Sequence, residues 1–314
     1  MNDQAPDCDG ITGAGQMAAT TAVSFKRAGY RVLLWDTHAE TLGAAEQKIQ
    51  EKDRWVDEHV GPSSTEAGTI ELAESLDALA GIADWVLDCI AEELDAKVEL
   101  FTQCARTANS EAVFLTTTSG LSITTMAERS DCGRRLVGTH FWNPPHLMPL
   151  VEVVRGEETP AELIDRVCDL VSSIGKIPVR VHRDVPGFIG NRLLHALWRE
   201  AIAVVEQGIA SPEDVDQVAR YTFGLRLPAL GPLENMDIVG LNLIETIHKY
   251  LLADIADNHG PSELLSRNVA NQELGVQSGK GFYDWSTRDP QEAIGRRDSQ
   301  IVHQLEFLKR LENQ

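Results

Sequence analysis

The sequence predicts an α/β fold over residues 1–183, with a largely parallel sheet, followed by an all-helical domain over residues 184–314. Three observations lead to this prediction. Short apolar runs alternate with helical patterns from Gly10 to Val181, which indicates strand–helix–strand crossovers. A glycine-rich turn opens this region. After Val181 only helical periodicity continues, so we expect the domain boundary near His182 to Val185.

The first part contains six predicted strands and three predicted helices. The strands are short runs rich in Val, Ile and Leu, at 31–36, 83–90, 112–118, 135–141, 150–154 and 176–181. The helices have apolar residues at helical spacing, at 16–29, 95–108 and 160–175. This order is typical of a sheet covered by helices on both faces.

The first strand is anomalous, because the residues before the glycine-rich turn are polar. A central parallel strand is normally filled by Val and Ile, but here Asp9, Gly10 and Thr12 occupy those positions. A buried carboxylate without a partner costs several kcal/mol. We therefore expect this strand either to be very short or to exclude Asp9.

The second part is predicted to be helical throughout. Residues 184–208 carry an apolar stripe that ends at Gly208, a plausible C-terminal cap. The stripe consists of Leu194, Leu197, Trp198, Ala201 and Val205. The next helix, at 211–224, begins with Ser211 as its N-cap and Pro212 at its first position. Residues 233–256 continue the helical pattern.

Composition excludes several classes of partner. The 314 residues include 48 acidic and 28 basic side chains, a net charge of −20, which disfavours nucleic acid and anionic membranes as partners. The five cysteines form no CxxC pair, which favours reduced thiols in the cytoplasm. No signal peptide and no apolar run of membrane-spanning length is predicted. No metal site is predicted.

The turn contains the pattern G-x-G-x-x-A at Gly13, Gly15 and Ala18, the fingerprint of a Rossmann-type dinucleotide-binding domain. The first glycine permits the tight turn, and the second lets the backbone approach a pyrophosphate. The backbone amides that start the following helix, at Gln16 and Met17, then face the phosphates. The alternative is a glycine turn that binds no nucleotide.

Asp36 ends the second strand, 23 residues after Gly13, where a carboxylate accepts a hydrogen bond from a ribose hydroxyl. Thr37 and His38 follow it, without an Arg or Lys for an additional phosphate. The sequence therefore predicts NAD, rather than NADP, as the cofactor.

His140 and Glu152 lie on two consecutive predicted strands joined by the turn "NPPHLMP". A Glu among apolar strand residues is costly unless it is paired, and His140 is its nearest obvious partner. A carboxylate bonded to one ring nitrogen fixes the tautomer, and the other nitrogen then accepts a proton from an alcohol. Such a dyad suits hydride transfer to a nicotinamide. A purely structural His–Glu pair is the alternative.

Seven motifs in one order resemble those of the L-3-hydroxyacyl-CoA dehydrogenase family over nearly the whole chain. They are "GAGQMA", "AEELDAKVELF", "TTSGL", "GTHFWNPP", "PLVEVV", "DVPGFIGNRLL" and "SGKGFYDW". The resemblance implies a nucleotide-binding domain, a helical C-terminal domain that holds the substrate cleft, and a homodimer formed through the latter.

The resemblance also implies roles for individual residues. His140 would be the catalytic base and Glu152 its orienting partner, while Ser119 and Asn191 would hydrogen-bond the substrate oxygen. Three further matches carry over by position. Glu92 and Lys97 correspond to residues near the nicotinamide ribose, and Asn143 corresponds to a pocket residue. Asn191 as a helix cap and Ser119 as a turn residue are the structural alternatives.

Departures from the family pattern concern the substrate. Residues 44–64, where family members bind CoA phosphates with lysines, are neutral to acidic here, although Lys48 and Lys52 remain candidates. Gln277 replaces a lysine before the "GxGFY" motif. "TTSGL" and "NPPH" are similar to branches that act on small free acids. These are the gulonate dehydrogenases with lambda-crystallin, the carnitine dehydrogenases, and the pyridoxine-degradation enzyme that oxidises a formyl pyridine carboxylate.

Three hypotheses follow. The first is an NAD-dependent dehydrogenase of a small hydroxy acid or related aldehyde, with His146 as a partner for a substrate carboxylate or else a solvated turn residue. The second is a true L-3-hydroxyacyl-CoA dehydrogenase. The third is an NAD-binding structural or regulatory protein without catalysis, against which the intact set Ser119, His140, Glu152 and Asn191 argues.

Overall fold

The computed structural model describes residues 8–63 and 66–312. The chain divides into two compact units, Met1–Arg192 and Leu193–Gln314. The predicted boundary at residue 183 stays a prediction, and the segment that follows the last strand is bound to the first unit. Asp184 there accepts hydrogen bonds from the Ser122 hydroxyl (2.7 Å) and the Thr124 amide (2.9 Å).

The first unit is built on one eight-stranded sheet, which confirms the predicted α/β class. Its strands are β1 (Cys8–Thr12), β2 (Arg31–Trp35), β3 (Ile70–Leu72), β4 (Trp85–Asp88), β5 (Val113–Thr116), β6 (Leu136–Phe141), β7 (Leu150–Val154) and β8 (Ile177–Val181). Their order across the sheet is β3-β2-β1-β4-β5-β6-β7-β8. All neighbours are parallel except β6 and β7, which form an antiparallel pair.

Helices cover both faces of this sheet. They are α1 (Gln16–Arg27), α2 (Ala39–His59), α3 (Leu76–Ile82), α4 (Leu94–Thr107), α5 (Ile123–Arg129) and α6 (Ala161–Ser173). One core cluster, termed the α1-side cluster, joins α1, α2 and α6 to strand residues such as Leu34 and Val151. The other, termed the α4-side cluster, joins α3, α4 and α5 to residues such as Leu33 and Val154. Because strand side chains alternate between faces, His140 and Glu152 belong to the α4 side.

The first strand contradicts both expectations for Asp9. β1 is a full five-residue strand, and Asp9 lies inside it, pairing in register with Val32 and Trp85. The side chain is 0% exposed, and neither carboxyl oxygen has a hydrogen-bond partner among the described residues. Burial raises the pKa of this carboxyl well above its ordinary value. The sheet therefore tolerates, at a position where Val or Ile is usual, a buried carboxyl group whose charged form is disfavoured by burial.

The second unit is helical, as predicted. It contains most of α7 (Gly190–Glu206), then α8 (Pro212–Tyr221), α9 (Phe223–Arg226), α10 (Pro232–Val239), α11 (Leu241–Leu251), α12 (Glu263–Ala270) and α13 (Pro290–Glu312). Ser211 caps α8 by accepting a hydrogen bond from the Asp214 amide (3.1 Å), which confirms the predicted N-cap. The predicted helix at 233–256 is two helices, because Gly240 between them has a φ of +102°. No described helix has the length and apolarity needed to cross a membrane.

Candidate active site

The glycine-rich turn joins β1 to α1, and its first glycine is required by both conformation and space. Gly13 has a φ of +91°, in the left-handed region, and a Cβ built there would lie 2.7 Å from the carbonyl oxygen of Cys89 after β4. Its amide donates to the Trp35 carbonyl (2.8 Å), which fixes the turn against β2. The backbone thus approaches the sheet as a dinucleotide-binding turn must.

The start of α1 leaves its amides available to an anion. Gly15 is the N-cap and offers no side-chain cap, and it is exposed together with Gln16. Ala18 is completely buried against the sheet, as the small third residue of the fingerprint requires. An uncapped helix start has unsatisfied N–H groups and a partial positive charge, which fit the pyrophosphate of a dinucleotide.

Asp36 follows β2 and lies beside this turn. One carboxylate oxygen accepts from the Ala14 amide (2.7 Å) and the other from the His38 amide (2.8 Å). Partial burial raises the pKa of Asp36, but these hydrogen bonds outweigh that effect and hold the pKa below its usual range. The carboxylate is therefore ionised at neutral pH and positioned as an acceptor near the phosphate-binding turn.

Glu92 and Lys97 contact residues at or just beyond the carboxyl ends of β4 and β5. Lys97 is fully buried and forms an ion pair with Asp88, the last residue of β4, while its Nζ lies 3.6 Å from Glu92 Oε2. Glu92 Oε1 accepts hydrogen bonds from the Thr118 hydroxyl (2.6 Å) and the Ser119 amide (2.7 Å). Burial raises the pKa of Asp88, and the Lys97 ammonium only partly offsets this. The sequence analysis did not identify Asp88 as a site residue, because it lies inside the predicted strand 83–90 without a recognisable motif.

His140 and Glu152 face each other across the β6–β7 pair, where they are register partners. His140 Nδ1 lies 2.6 Å from Glu152 Oε2, and the two residues are 4% and 1% exposed. The other carboxylate oxygen accepts from the amides of Ile189 (2.9 Å) and Gly190 (3.0 Å) at the start of α7. Burial raises the pKa of Glu152, but the His140 contact and these two amides outweigh it and lower the pKa overall.

Ser119 and Asn191 lie next to this pair. The Asn191 side-chain amide donates to the Ser119 carbonyl (3.0 Å), and Asn191 follows directly after Gly190, whose amide binds Glu152. Neither the Ser119 hydroxyl nor His140 Nε2 has a hydrogen-bond partner among the described residues. The structure thus brings the four predicted catalytic residues into one connected group with a hydroxyl and a ring nitrogen left available.

The loop between β6 and β7 carries Asn143 and His146, and the side chain of Lys176 holds it. The Lys176 Nζ donates to the carbonyls of Pro145 (2.6 Å) and Met148 (3.1 Å), and burial lowers its pKa to about 8. The His146 ring packs edge-on against Trp55 of α2, with centroids 5.7 Å apart. Trp55 packs on the α1-side cluster, on the other face of the sheet from His140. Substrate binding by His146 therefore stays a prediction.

Comparison with known proteins also finds two successive parts in the chain. The NAD binding domain of 3-hydroxyacyl-CoA dehydrogenase matches residues 10–185, and the C-terminal domain of the same enzyme matches residues 187–285. The chain belongs to the 3-hydroxyacyl-CoA dehydrogenase family. As a family member it is an NAD-dependent oxidoreductase, and the turn, the uncapped start of α1 and Asp36 fit that cofactor.

Relatives in the family include enzymes of free acids and of CoA esters. The 5-formyl-3-hydroxy-2-methylpyridine 4-carboxylate 5-dehydrogenase of Mesorhizobium japonicum is 29% identical over 93% of this chain and 95% of that protein. A crystal structure of an enzyme of that name, described as an NAD+ dependent dismutase, has a TM-score of 0.91 at 27% identity, covering 97% of this chain and 99% of that one. A probable 3-hydroxybutyryl-CoA dehydrogenase of Bacillus subtilis is 34% identical over 88% of this chain and 97% of that protein.

Proposed function

We propose that this family member oxidises a small hydroxy acid, or the related aldehyde, with His140 as the catalytic base and Glu152 as its orienting partner. The buried hydrogen bond between Glu152 and His140 Nδ1 carries this proposal. An ionised carboxylate on Nδ1 requires the proton there, so Nε2 is left as the proton acceptor. Because Nε2 has no partner among the described residues, it is free to meet a substrate hydroxyl.

The side chains divide the chemistry among them. NAD, when bound, supplies the hydride acceptor. Nε2 of His140 takes the hydroxyl proton, and the Glu152 carboxylate stabilises the imidazolium that results. The Ser119 hydroxyl and the Asn191 amide hydrogen-bond the substrate oxygen as it changes from hydroxyl to carbonyl, and Asn143 lines the pocket. With an aldehyde substrate, His140 acts on the aldehyde or its hydrate.

The charge of α2 supports a substrate without CoA. Its carboxylates outnumber its basic groups, as the two sets Glu40, Glu46, Glu51, Asp53, Asp57, Glu58 and Lys48, Lys52, Arg54 show. Nearby Lys26 and Arg27 are already engaged in ion pairs with Asp53, at 2.6 Å and 2.9 Å. Such a surface offers little attraction to the phosphates of CoA. Similarity to the pyridine-carboxylate dehydrogenase of Mesorhizobium supports the same substrate class.

A true 3-hydroxyacyl-CoA dehydrogenase is the second candidate, because relatives at 34% identity carry that activity in their names. Turnover of two substrate sets separates the candidates. One set contains small hydroxy acids and formyl or hydroxymethyl pyridine carboxylates, and the other contains acetoacetyl-CoA and 3-hydroxybutyryl-CoA. We expect only the first set to be turned over at about 1 s⁻¹ or faster with NAD(H). Comparable rates with the CoA esters would contradict the proposed substrate class.

We further propose a homodimer formed through the second unit, because that unit lacks a core of its own. Among its described side chains only Ala203 and Asn268 are buried, while Leu233 and Ile238 of α10 are 74% and 68% exposed. Apolar surface on this scale marks an interface between proteins, and most soluble oligomers are formed by copies of one chain.

If the protein is a homodimer, its mass in solution should be twice that of the chain, and a charged residue placed in the apolar surface of α10 should weaken the association. Light scattering should give twice the 34.5 kDa chain mass, and the thermal midpoint should rise with protein concentration. Replacing Ile238 with Glu should shift the protein toward monomer and lower its midpoint, whereas replacing exposed Glu234 with Gln on the same helix should change neither. A wild-type monomer at micromolar concentration would contradict the proposal.

A cytoplasmic location stays a prediction. The five cysteines are free thiols, and four of them are buried. Burial raises the pKa of Cys8 to about 11 and of Cys104 to about 12, so these thiols are weak nucleophiles. Thiols in this state are consistent with a reducing compartment.

A further inference from the structure

The edge of the Trp142 indole abuts Gly190, the first residue of α7. A Cβ atom built on Gly190 would lie 2.1 Å from Cζ2 of Trp142 and 3.0 Å from its Cη2, closer than real Cβ atoms approach. Gly190 is not among the residues with a positive φ, so its backbone does not require glycine. The space taken by the indole is therefore the reason for glycine at this position.

This contact adjoins both members of the His140–Glu152 pair. Trp142 follows β6 two residues after His140, and their ring centroids are 5.1 Å apart with planes inclined by 54°. Gly190 donates its amide to Glu152 Oε1. Phe188, which is fully buried, lies 5.8 Å from the His140 ring. Trp142 itself is only half-buried, so part of this aromatic residue beside the base remains accessible.

We propose that Trp142, whose edge packs against Gly190, is a specificity-determining wall of the substrate site that selects a planar aromatic acid or aldehyde. The inference rests on the proposed function and names its substrate class more closely. A fixed indole binds a flat ring by offset stacking, and aromatic pairs of this kind strengthen an interaction about 3- to 10-fold beyond the area they bury. The flexible chain of an acyl thioester gains no such stacking contact.

Three variants test whether Trp142 selects the substrate or only packs against its neighbours. They are W142F, G190A and the double variant W142F/G190A. In W142F the stacking surface shrinks, and we expect KM for a formyl or hydroxymethyl pyridine carboxylate to rise about 3- to 10-fold with kcat nearly unchanged. The calorimetric Kd of an unreactive pyridine carboxylate should rise by the same factor. KM for acetoacetyl-CoA, where turnover is measurable, should not rise. W85F is the matched control, because Trp85 is buried at the amino end of β4, and it should leave these values unchanged.

G190A alone should lower kcat, because its Cβ displaces the indole and shifts the amide that binds Glu152. The colliding atoms belong to the six-membered ring of the indole, so W142F/G190A should recover activity relative to G190A. Three results would overturn the wall: no binding of the pyridine carboxylate by the wild type, equal effects of W142F on both substrates, or no recovery in the double variant. Wild type that binds the carboxylate but turns over none of the substrates would contradict the proposed function and leave the wall standing.

Discussion

Replacing His140 with Gln should lower kcat by about 10²- to 10⁴-fold, the range that general base catalysis contributes. Glutamine keeps a polar group of similar reach but does not accept the hydroxyl proton at neutral pH. The dinucleotide-binding turn lies on other strands, so the NADH affinity of the variant should match the wild type. Steady-state turnover and NADH fluorescence titration measure the two properties separately.

Two companion variants sharpen this prediction. Replacing Glu152 with Gln should also lower kcat, because a neutral amide stabilises the imidazolium less than a carboxylate does. Replacing His182, an exposed histidine of the same unit, with Gln should have no effect. Unchanged turnover in the His140 variant would disprove the dyad and favour a structural His–Glu pair. Absence of turnover in the wild type, together with normal NADH binding, would favour the non-catalytic alternative.

Replacing Asp9 with Val should stabilise the first unit by about 2–4 kcal/mol at pH 8, because it removes two buried oxygens that have no partner. The gain should shrink at lower pH. Below pH 3.8 the carboxyl is protonated in both the folded and the unfolded chain. As pH rises above that value the unfolded chain ionises while the folded one keeps its proton. Stability therefore falls, by up to about 1.4 kcal/mol per pH unit, until the folded carboxyl ionises as well.

Denaturant unfolding at pH 5, 6.5 and 8 tests whether the free energy of unfolding of the wild type falls, relative to the Val variant, as pH rises. The Asn variant of Asp9 should lose the pH-dependent part of the effect while keeping much of the polar cost. Replacing the exposed Asp131 with Asn should leave the pH profile as it is in the wild type. Two results would contradict this prediction: a Val variant less stable than the wild type, or an Asn variant whose stability changes with pH as the wild type's does. Either would show that Asp9 has a partner in solution that stabilises its charge.

Local patterns were sufficient for much of the site. His140 and Glu152 lie on strands joined by one short loop, so their pairing follows from strand alternation and a hairpin connection. The turn at Gly13 and the N-cap at Ser211 depend on a few neighbouring residues, and both were predicted correctly. The late start of α7 was missed, because Phe188 has a φ of +47° that no periodicity indicates.

The sequence by itself determined the α/β class, the six predicted strands, three helices of the first unit and the glycine turn at Gly13, because each is encoded within a few residues of the chain. It did not predict β3, α2, α3 or α5. Only the tertiary structure decided that Asp9 is buried without a partner, that Asp88 pairs with Lys97, and that Glu152 is held by the start of α7. These contacts join segments that are distant in the sequence. The sheet brings some of them together, and the segment after β8 packs against β7. Their energies come from burial and from distances between side chains, which periodicity along the chain does not specify.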